Sequence, residues 1–517
     1  MNETRPGNAH VGSTAGTTFL GLKPEKAVAL VVIAALLVPL SALSQPADTK
    51  AAGGTLARMR AANGLAQSGL GDVDATGETL RLATLGLKNV AVVLLWDRIN
   101  HYKMVKDWTS LSAALEQMTK LQPHFFSVWD FQAHNQSYNI SVEFDDYRDR
   151  YAWVIKGIEF LRKGAALNRT EPRLPDRMGW YIGHKIGTAD EKRQFRRLFR
   201  EDDDFHLRDD PARTLPERDN WRVGREKYLA AEAIVDAGHP VPNPVVFHSH
   251  VMKWSINYAR ALEAEGTFGN DAGVAWIRAQ KDLAAFASRE IPTSWHVPIR
   301  LALREEQEAK AARLEQELET LLPGQFTALA RTLHAALPDE ARKAIETPPK
   351  SRTPEQQQLA EASFAASTPT WTEVARTAPA AVRERARELA RLHDEALRTA
   401  DIIDRYRDIV NFDFWRACCE AEATAPALRA RERLWQAHEA DQKADLQAAR
   451  TAYEEAFAAW RQVLDASPVL RADDLTAREM AEEIERYERL LDRHFGERLP
   501  RPFVLQDVLD LVKQGGG

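Results

Sequence analysis

The residue types best suited to chemistry recur at a fixed spacing. Trp96-Asp97 is followed by His101, and 33 residues on Trp129-Asp130 is followed by His134, so W-D-x-x-x-H occurs twice. Positions i and i+4 share a helix face, which pairs Asp97 with His101 and Asp130 with His134. Carboxylates and imidazoles are ordinary ligands of a divalent metal. They are equally ordinary donors and acceptors toward a polar or charged partner. Equivalent residues on stacked helices lie about 8–10 Å apart. Three arrangements therefore fit: a cation site made by all four residues, a polar recognition groove lined by them, or two independent surface pairs. A surface pair of this kind is worth only about 0.2–0.5 kcal/mol. Convergence of four ligands from two helices is the most demanding geometry, so a metal is the least expected of the three.

Other candidates are weaker. His248-Ser249-His250 puts alternate histidines on one face only in an extended segment, and no third ligand is near in sequence; they read as loop or core histidines. Glu201-Asp202-Asp203-Asp204-Phe205-His206 is acidic but lacks the spaced ligands and glycine of an EF-hand loop, and reads as a solvated charge run. Tyr151, Trp153, Trp180 and Tyr181 are expected to form an aromatic cluster in the core between neighbouring helices. The two cysteines, Cys418 and Cys419, are adjacent, which precludes a disulfide framework and suggests one buried and one partly exposed thiol. Phosphate-cradling G-x-x-x-x-G-K-[ST], the G-x-S-x-G elbow, H-E-x-x-H and C-x-x-C-H do not occur. The expectation is a protein without a cofactor and without enzymatic activity.

The elements that must position these residues are helical. Of 517 residues 44% are hydrophobic and 28% charged, and the second half is rich in Ala, Glu, Arg and Leu, which lose little entropy in a helix. The net charge of −6 supplies no global basic field for nucleic acid. Leu80, Ala83, Leu87, Val90, Ala91, Leu94 and Leu95 recur at three- and four-residue spacings and predict one buried helix face. A second helix follows from about Thr109, with Leu111, Leu115 and Met118 on one face, and Pro123 stops it. Further helices are expected over Phe126 to Ile140 and Tyr151 to Ala166, then a unit around Met178 to Gly187 in which Gly179 permits close approach. Ala311, Leu314, Leu318 and Leu321 form a 3-4-3 seam on a charged rod, as in a coiled coil. Pro323-Gly324 turns this rod back into Phe326 to Leu337, a helical hairpin.

Ala27 to Leu43 is an uncharged run of 17 residues, the short end of what spans a hydrocarbon core of about 30 Å. A signal peptide cleaved after Ser44 and an uncleaved anchor both fit; the long polar leader favours the anchor. Lys23 and Lys26 precede the run and Lys50, Arg58 and Arg60 follow it, so the charge bias is small. The bulk of the chain is expected on the non-cytoplasmic side of a bacterial cell membrane.

A repeat of 33 residues marks stacked helical hairpins. Over Thr79 to Gly187 and Leu428 to Leu470 the chain resembles the tetratricopeptide repeat family, with Tyr102, Leu115 and Pro123 at signature positions of one unit and Ala456, Trp460 and Pro468 of another. In that family the residues of the first helix at the positions of Asp97, His101, Asp130 and His134 line a concave groove that binds other proteins. The whole chain is also similar to a bacterial membrane-anchored group labelled "iron responsive element" proteins. Thr84-Leu-Gly-Leu87, Val142-Glu-Phe-Asp-Asp-Tyr-Arg148, Arg289-Glu-Ile-Pro-Thr293 and Ile409-Val-Asn-Phe412 carry that likeness. The resulting expectation is an all-α chain. Residues 1–26 are a disordered leader, 27–44 a transmembrane anchor or signal segment, and 45–78 a tether. Residues 79–190 form a tetratricopeptide-like domain, 191–300 a middle helical domain, and 301–345 a hairpin. Residues 346–369 are a linker, and 370–517 a C-terminal helical domain with one repeat-like hairpin. Its expected role is a membrane-tethered scaffold that binds another protein through the groove, the alternative being a metal-binding protein or enzyme that uses the same Asp and His groups.

Overall fold

The computed structural model describes residues 88–515, together with Val32, Ala35, Pro39, Gly54, Thr55, Arg58 and Met59. The described residues are helical throughout, and extended pairing amounts to one isolated bridge between Ile291 and Ile299. The apolar run 27–43 lies outside the described residues except for Val32, Ala35 and Pro39, which are helical and exposed. The leader, most of the tether and the predicted helix face at Leu80, Ala83 and Leu87 also lie outside them. Among the described residues no helix is long and apolar enough to cross a membrane.

The chain divides into two compact units, residues 1–132 with 163–170, and residues 133–162 with 171–517. In the first, α1 (Lys88–Met104) packs on α2 (Trp108–Leu121). Ala91, Leu95 and Ile99, one i, i+4, i+8 stripe, meet Leu111, Leu115 and Met118. Val90 and Leu94, expected on the buried face, sit one residue off that stripe and are exposed. The carboxylate of Asp107 caps α2 by accepting from the Ser110 N–H at 3.1 Å. The Pro123 carbonyl, just after α2, accepts from the Trp129 indole and from the Asn168 amide, both at 2.8 Å.

The repeated tryptophans are not equivalent. Trp129, on α3 (Phe126–His134), is 4% exposed; Trp96, on α1, is 37% exposed. Each meets the residue 35 positions further on. For Trp129 that is Gly164, at the end of α4 (Tyr147–Leu167), where a Cβ would stand 2.7 Å from the indole ring. For Trp96 it is Phe131, whose ring meets the indole edge-on at 6.3 Å. A glycine lets the indole lie flush on the neighbouring backbone, whereas a phenylalanine holds it away.

The second unit begins with the continuation of α3 through a π-turn, Asn135–Ile140, into a short 3-10 turn, Ser141–Glu143. Here α4 comes close, because a Cβ on Gly157 would stand 2.2 Å from Ser137 Oγ. Next come α5 (Arg173–Trp180), prolonged by a second π-turn, Tyr181–Lys185, then α6 (Lys192–Glu201), α7 (Asp203–Asp209) and α8 (Asn220–Asp236). The short α9 (Pro244–His248) leads into the hairpin of α10 (His250–Ala264) and α11 (Asn270–Ser288). Gly179, Gly183, Gly187 and Gly224 form the seat for two indoles: Trp254 lies against Gly183 and Gly224, and Trp221 against Gly187.

The rod α12 (Arg304–Leu321) buries Ala311, Leu314 and Leu318 as its seam predicts. Its partner, however, is not the helix that follows. The seam faces Ala386, Leu389 and Ala390 of the long helix Arg383–Val410, with Trp371 beside it. The helix that follows, α13 (Gln325–Ala336), has no fully buried residue and meets the same cluster only through the half-buried Phe326 and Leu329. Residues expected as a linker include the short end of α14 (Asp339–Glu346) and a full helix, α15 (Pro354–Ser367). Thr353 and Gln356 form a capping box there, and Pro354 occupies the first turn, where its missing N–H costs nothing. α16 (Trp371–Thr377) starts on a Thr370/Glu373 capping box and leads to α17 (Arg383–Val410).

α18 (Phe412–Glu422), α19 (Ala425–Gln442), α20 (Leu446–Ala466), the single turn α21 (Pro468–Arg471), α22 (Asp474–Leu490) and α23 (Gln506–Gly515) complete the unit. α19 and α20 pair closely, and Trp460, Ala456 and Tyr453 join Trp276 and Phe286 of α11 in one large core. α18 is wedged into that core, so both Cys418 and Cys419 are buried; the partly exposed thiol expected from sequence does not occur.

Candidate functional site

Four rings at i, i+4 spacing on two helices form a stacked ladder. His134, the last residue of α3, stacks on Tyr138 in the π-turn with centroids 4.8 Å apart and planes 12° from parallel. Tyr138 stacks on Trp180, the last residue of α5, at 5.7 Å and 27°. Trp180 in turn stacks on His184, in the second π-turn, at 4.8 Å and 9°. The Tyr138 hydroxyl and His184 Nδ1 are 3.2 Å apart, which closes the ladder with a hydrogen bond. Lys185 holds its ammonium 4.4 Å from the centre of the Tyr138 ring, and Tyr181 presents its edge to Trp180 at 5.1 Å. The two imidazoles at the ends are exposed, and the two central rings are half-buried.

Both π-turns that carry this ladder are supported from beneath. A π-turn displaces the ordinary i to i+4 hydrogen bonds and leaves carbonyls to be satisfied otherwise. The Asn220 side-chain amide donates to the carbonyls of Ile182 and Gly183, at 3.2 and 3.0 Å. On α3 the Ser141 hydroxyl donates to the Ser137 carbonyl at 2.6 Å, and the Asn139 amide to Asn135 Oδ1 at 3.1 Å. Burial pushes the Tyr138 phenol above its ordinary value. Burial, and then the neighbouring Lys185 charge, hold His184 below the usual imidazole range. The shifts favour the neutral phenol and the neutral His184 imidazole, and burial also holds Lys185, over the ring face, below the usual lysine range. Such a surface offers flat apolar area, hydrogen-bonding ring edges and a cation–π contact.

Of the four residues singled out by the repeated motif, Asp97 and His101 are exposed on α1, and Asp130 is half-buried on α3. His134 is drawn into the ladder. Among the described residues no three His, Cys, Asp or Glu side chains are placed to hold a metal ion. His248 and His250 point to different carboxylates: His248 Nδ1 lies 2.8 Å from Glu232, and His250 Nδ1 lies 2.8 Å from Asp176. In the acidic run, Asp202 caps α7 by accepting from the Phe205 N–H, and it also accepts from the Tyr151 hydroxyl. Asp203 pairs with Arg218 at 2.6 Å. His206 is buried against the Phe199 carbonyl, and burial pushes its imidazole down to about 4. Asp202 and Asp203 are thus engaged in capping and pairing, while Glu201 and Asp204 are exposed.

The expected aromatic cluster splits into three. Tyr151 packs on Phe195, Trp153 stacks on Phe144, and only Trp180 and Tyr181 stay together, joined by Tyr138. Tyr138, His184 and Lys185 are absent from the sequence reading. The signal for the first two was nevertheless present, as His-x-x-x-Tyr over 134–138 and Trp-x-x-x-His over 180–184.

A second group of titratable residues is enclosed in the core. Glu263, 6% exposed, accepts from the Trp276 indole at 2.9 Å. Near it Arg431 donates to Glu422, at 2.5 and 3.3 Å, and to Glu479. Burial, and then the charge of Glu422, push Glu263 up to about 7. Burial likewise pushes the Cys418 thiol up to about 11.

Compared with models of protein families, with curated proteins and with solved structures, the chain finds no match.

Proposed function

We propose that this protein is a membrane-tethered helical scaffold that binds another protein, with the ring ladder His134–Tyr138–Trp180–His184 as the centre of the contact surface. The ladder is the observation that carries this reading. Interface residues with large energetic effect are enriched in Trp, Tyr and Arg, because a rigid ring gives much contact area for little lost entropy. A half-exposed stack of four rings on two helices is preorganised in that sense. The ammonium of Lys185 adds a charge that favours a carboxylate on the partner beside a flat apolar group. Asp97, His101 and Asp130, the other residues of the repeated motif, extend the set of residues to be tested first. The apolar run 27–43 is the proposed membrane anchor, which keeps the scaffold and its partner at one bilayer.

The test is photo-crosslinking of the full-length protein in native membranes, with the crosslinker placed at His184. We expect one recurrent protein adduct, reduced at least tenfold by Trp180→Ala and unchanged by an exposed substitution elsewhere, such as Arg193→Ala. Capture of nothing above background would sink the reading. So would undiminished capture by a folded Trp180→Ala variant.

A further inference from the structure

We infer that a groove on α17, remote in sequence from the ladder, is a binding site for a small organic polyphosphate. The groove encloses about 750 Å³, and four arginines line it: Arg376 from α16, and Arg387, Arg391 and Arg398 from α17. On α17 these arginines follow 387, 391, 398, with Ile402 beyond, which is one helical stripe. At 1.5 Å per residue the stripe runs about 16 Å. The volume lies within the range of about 300–1,000 Å³ usual for small-molecule sites.

Of the two carboxylates in the lining, Glu395 is an exposed partner of Arg391 and Asp394 is engaged by other groups. Asp394 is half-buried and already accepts from the Thr372 hydroxyl at 2.6 Å, and His393 Nδ1 lies 3.1 Å from it. Arg391 donates to Glu395 at 3.0 Å and, through two nitrogens, to Glu388 at 2.8 and 3.1 Å, and Arg387 donates to Glu384 at 3.0 Å. These last are exposed pairs along one helix, which are weak and readily exchanged for a better acceptor. Arg376 meets Glu373 only through its charge, without an ion-pair contact, and Arg398 forms no ion pair with a carboxylate among the described residues. Guanidinium forks bind phosphate through two parallel hydrogen bonds, and a row of them matches an anion with several phosphates. Val297, Ala375 and Ile402, together with Thr372, supply an apolar and hydroxylated floor for the organic part.

The test is calorimetric titration of the full chain, without divalent cations and at about 50 mM salt, using inorganic triphosphate and a nucleoside triphosphate as probes. We expect both to bind with dissociation constants below a millimolar, and Arg376→Ala/Arg398→Ala to weaken both at least tenfold while the circular dichroism and melting temperature stay unchanged. Tighter binding of the nucleotide places its organic body on the apolar floor. Equal binding assigns the recognition to the phosphate chain, and both results support the site. Absence of binding by both probes overturns the proposal. So does equal weakening by Arg193→Ala/Arg197→Ala on α6, which would reveal a diffuse response to charge.

Discussion

Glu263 shows how one buried carboxyl can set a pH dependence. It sits at 6% exposure beside Glu422, with the Trp276 indole as donor, and is pushed up to about 7. A carboxyl raised in the folded state binds its proton more tightly there than in the unfolded chain. Its contribution to stability is therefore lost as pH rises from the unfolded value, 4.5, through about 7. Glu263→Gln keeps an oxygen for the indole and removes the titration. We expect the variant to match or trail the wild type at pH 4.5 and to exceed it at pH 8. At about 1.4 kcal/mol per unit the gain is at most about 3 kcal/mol. Urea denaturation at the two pH values decides it, and an equal difference at both would refute the assignment. Sequence offers no sign of this residue, since Glu263 reads as one more charge on a polar helix. Only the fold brings Glu422, which is 159 positions away, beside it.

At the scale of elements, close approach depends on glycines and on what faces them. Trp129 is buried because Gly164 receives its ring, and Trp96 is not, because Phe131 occupies the corresponding place. Gly164→Ala would put a methyl carbon 2.7 Å from the Trp129 ring, where both backbone and indole are held. The indole cannot withdraw without losing its hydrogen bond to the Pro123 carbonyl at 2.8 Å. We expect a loss of about 1–3 kcal/mol, typical of overpacking, read as a lower urea midpoint; an unchanged midpoint would show that the contact is slack. The period of 33 residues was legible in the sequence, although the cap at Thr353 sits in a stretch that reads as a linker. The π-turns were not, because nothing local distinguishes Tyr181–Lys185 from an ordinary helical turn. It is the Asn220 amide, from a different helix, that compensates its carbonyls.

At the scale of the whole molecule, the proposed membrane anchor makes a claim about sidedness. A reporter active only outside the cytoplasm, fused after Gly517, is expected to be active, and a reporter active only in the cytoplasm silent. The reverse result would invert the proposed topology.

By itself the sequence determined that the described chain is helical, where many of its helices begin and end, and which faces are apolar. Those are local properties, set by side-chain entropy, caps and periodicity. The tertiary structure alone decided the partners. The seam at Leu314 and Leu318 lies against Leu389 of α17 instead of the adjacent α13, because burial rewards whichever apolar face is large enough. His134, one of four similar candidates in the sequence, became part of a ring ladder because Tyr138, Trp180 and His184 arrive beside it from two helices. Spacing along one helix announces a pair of rings, and only the packing of two helices can join two pairs into a surface.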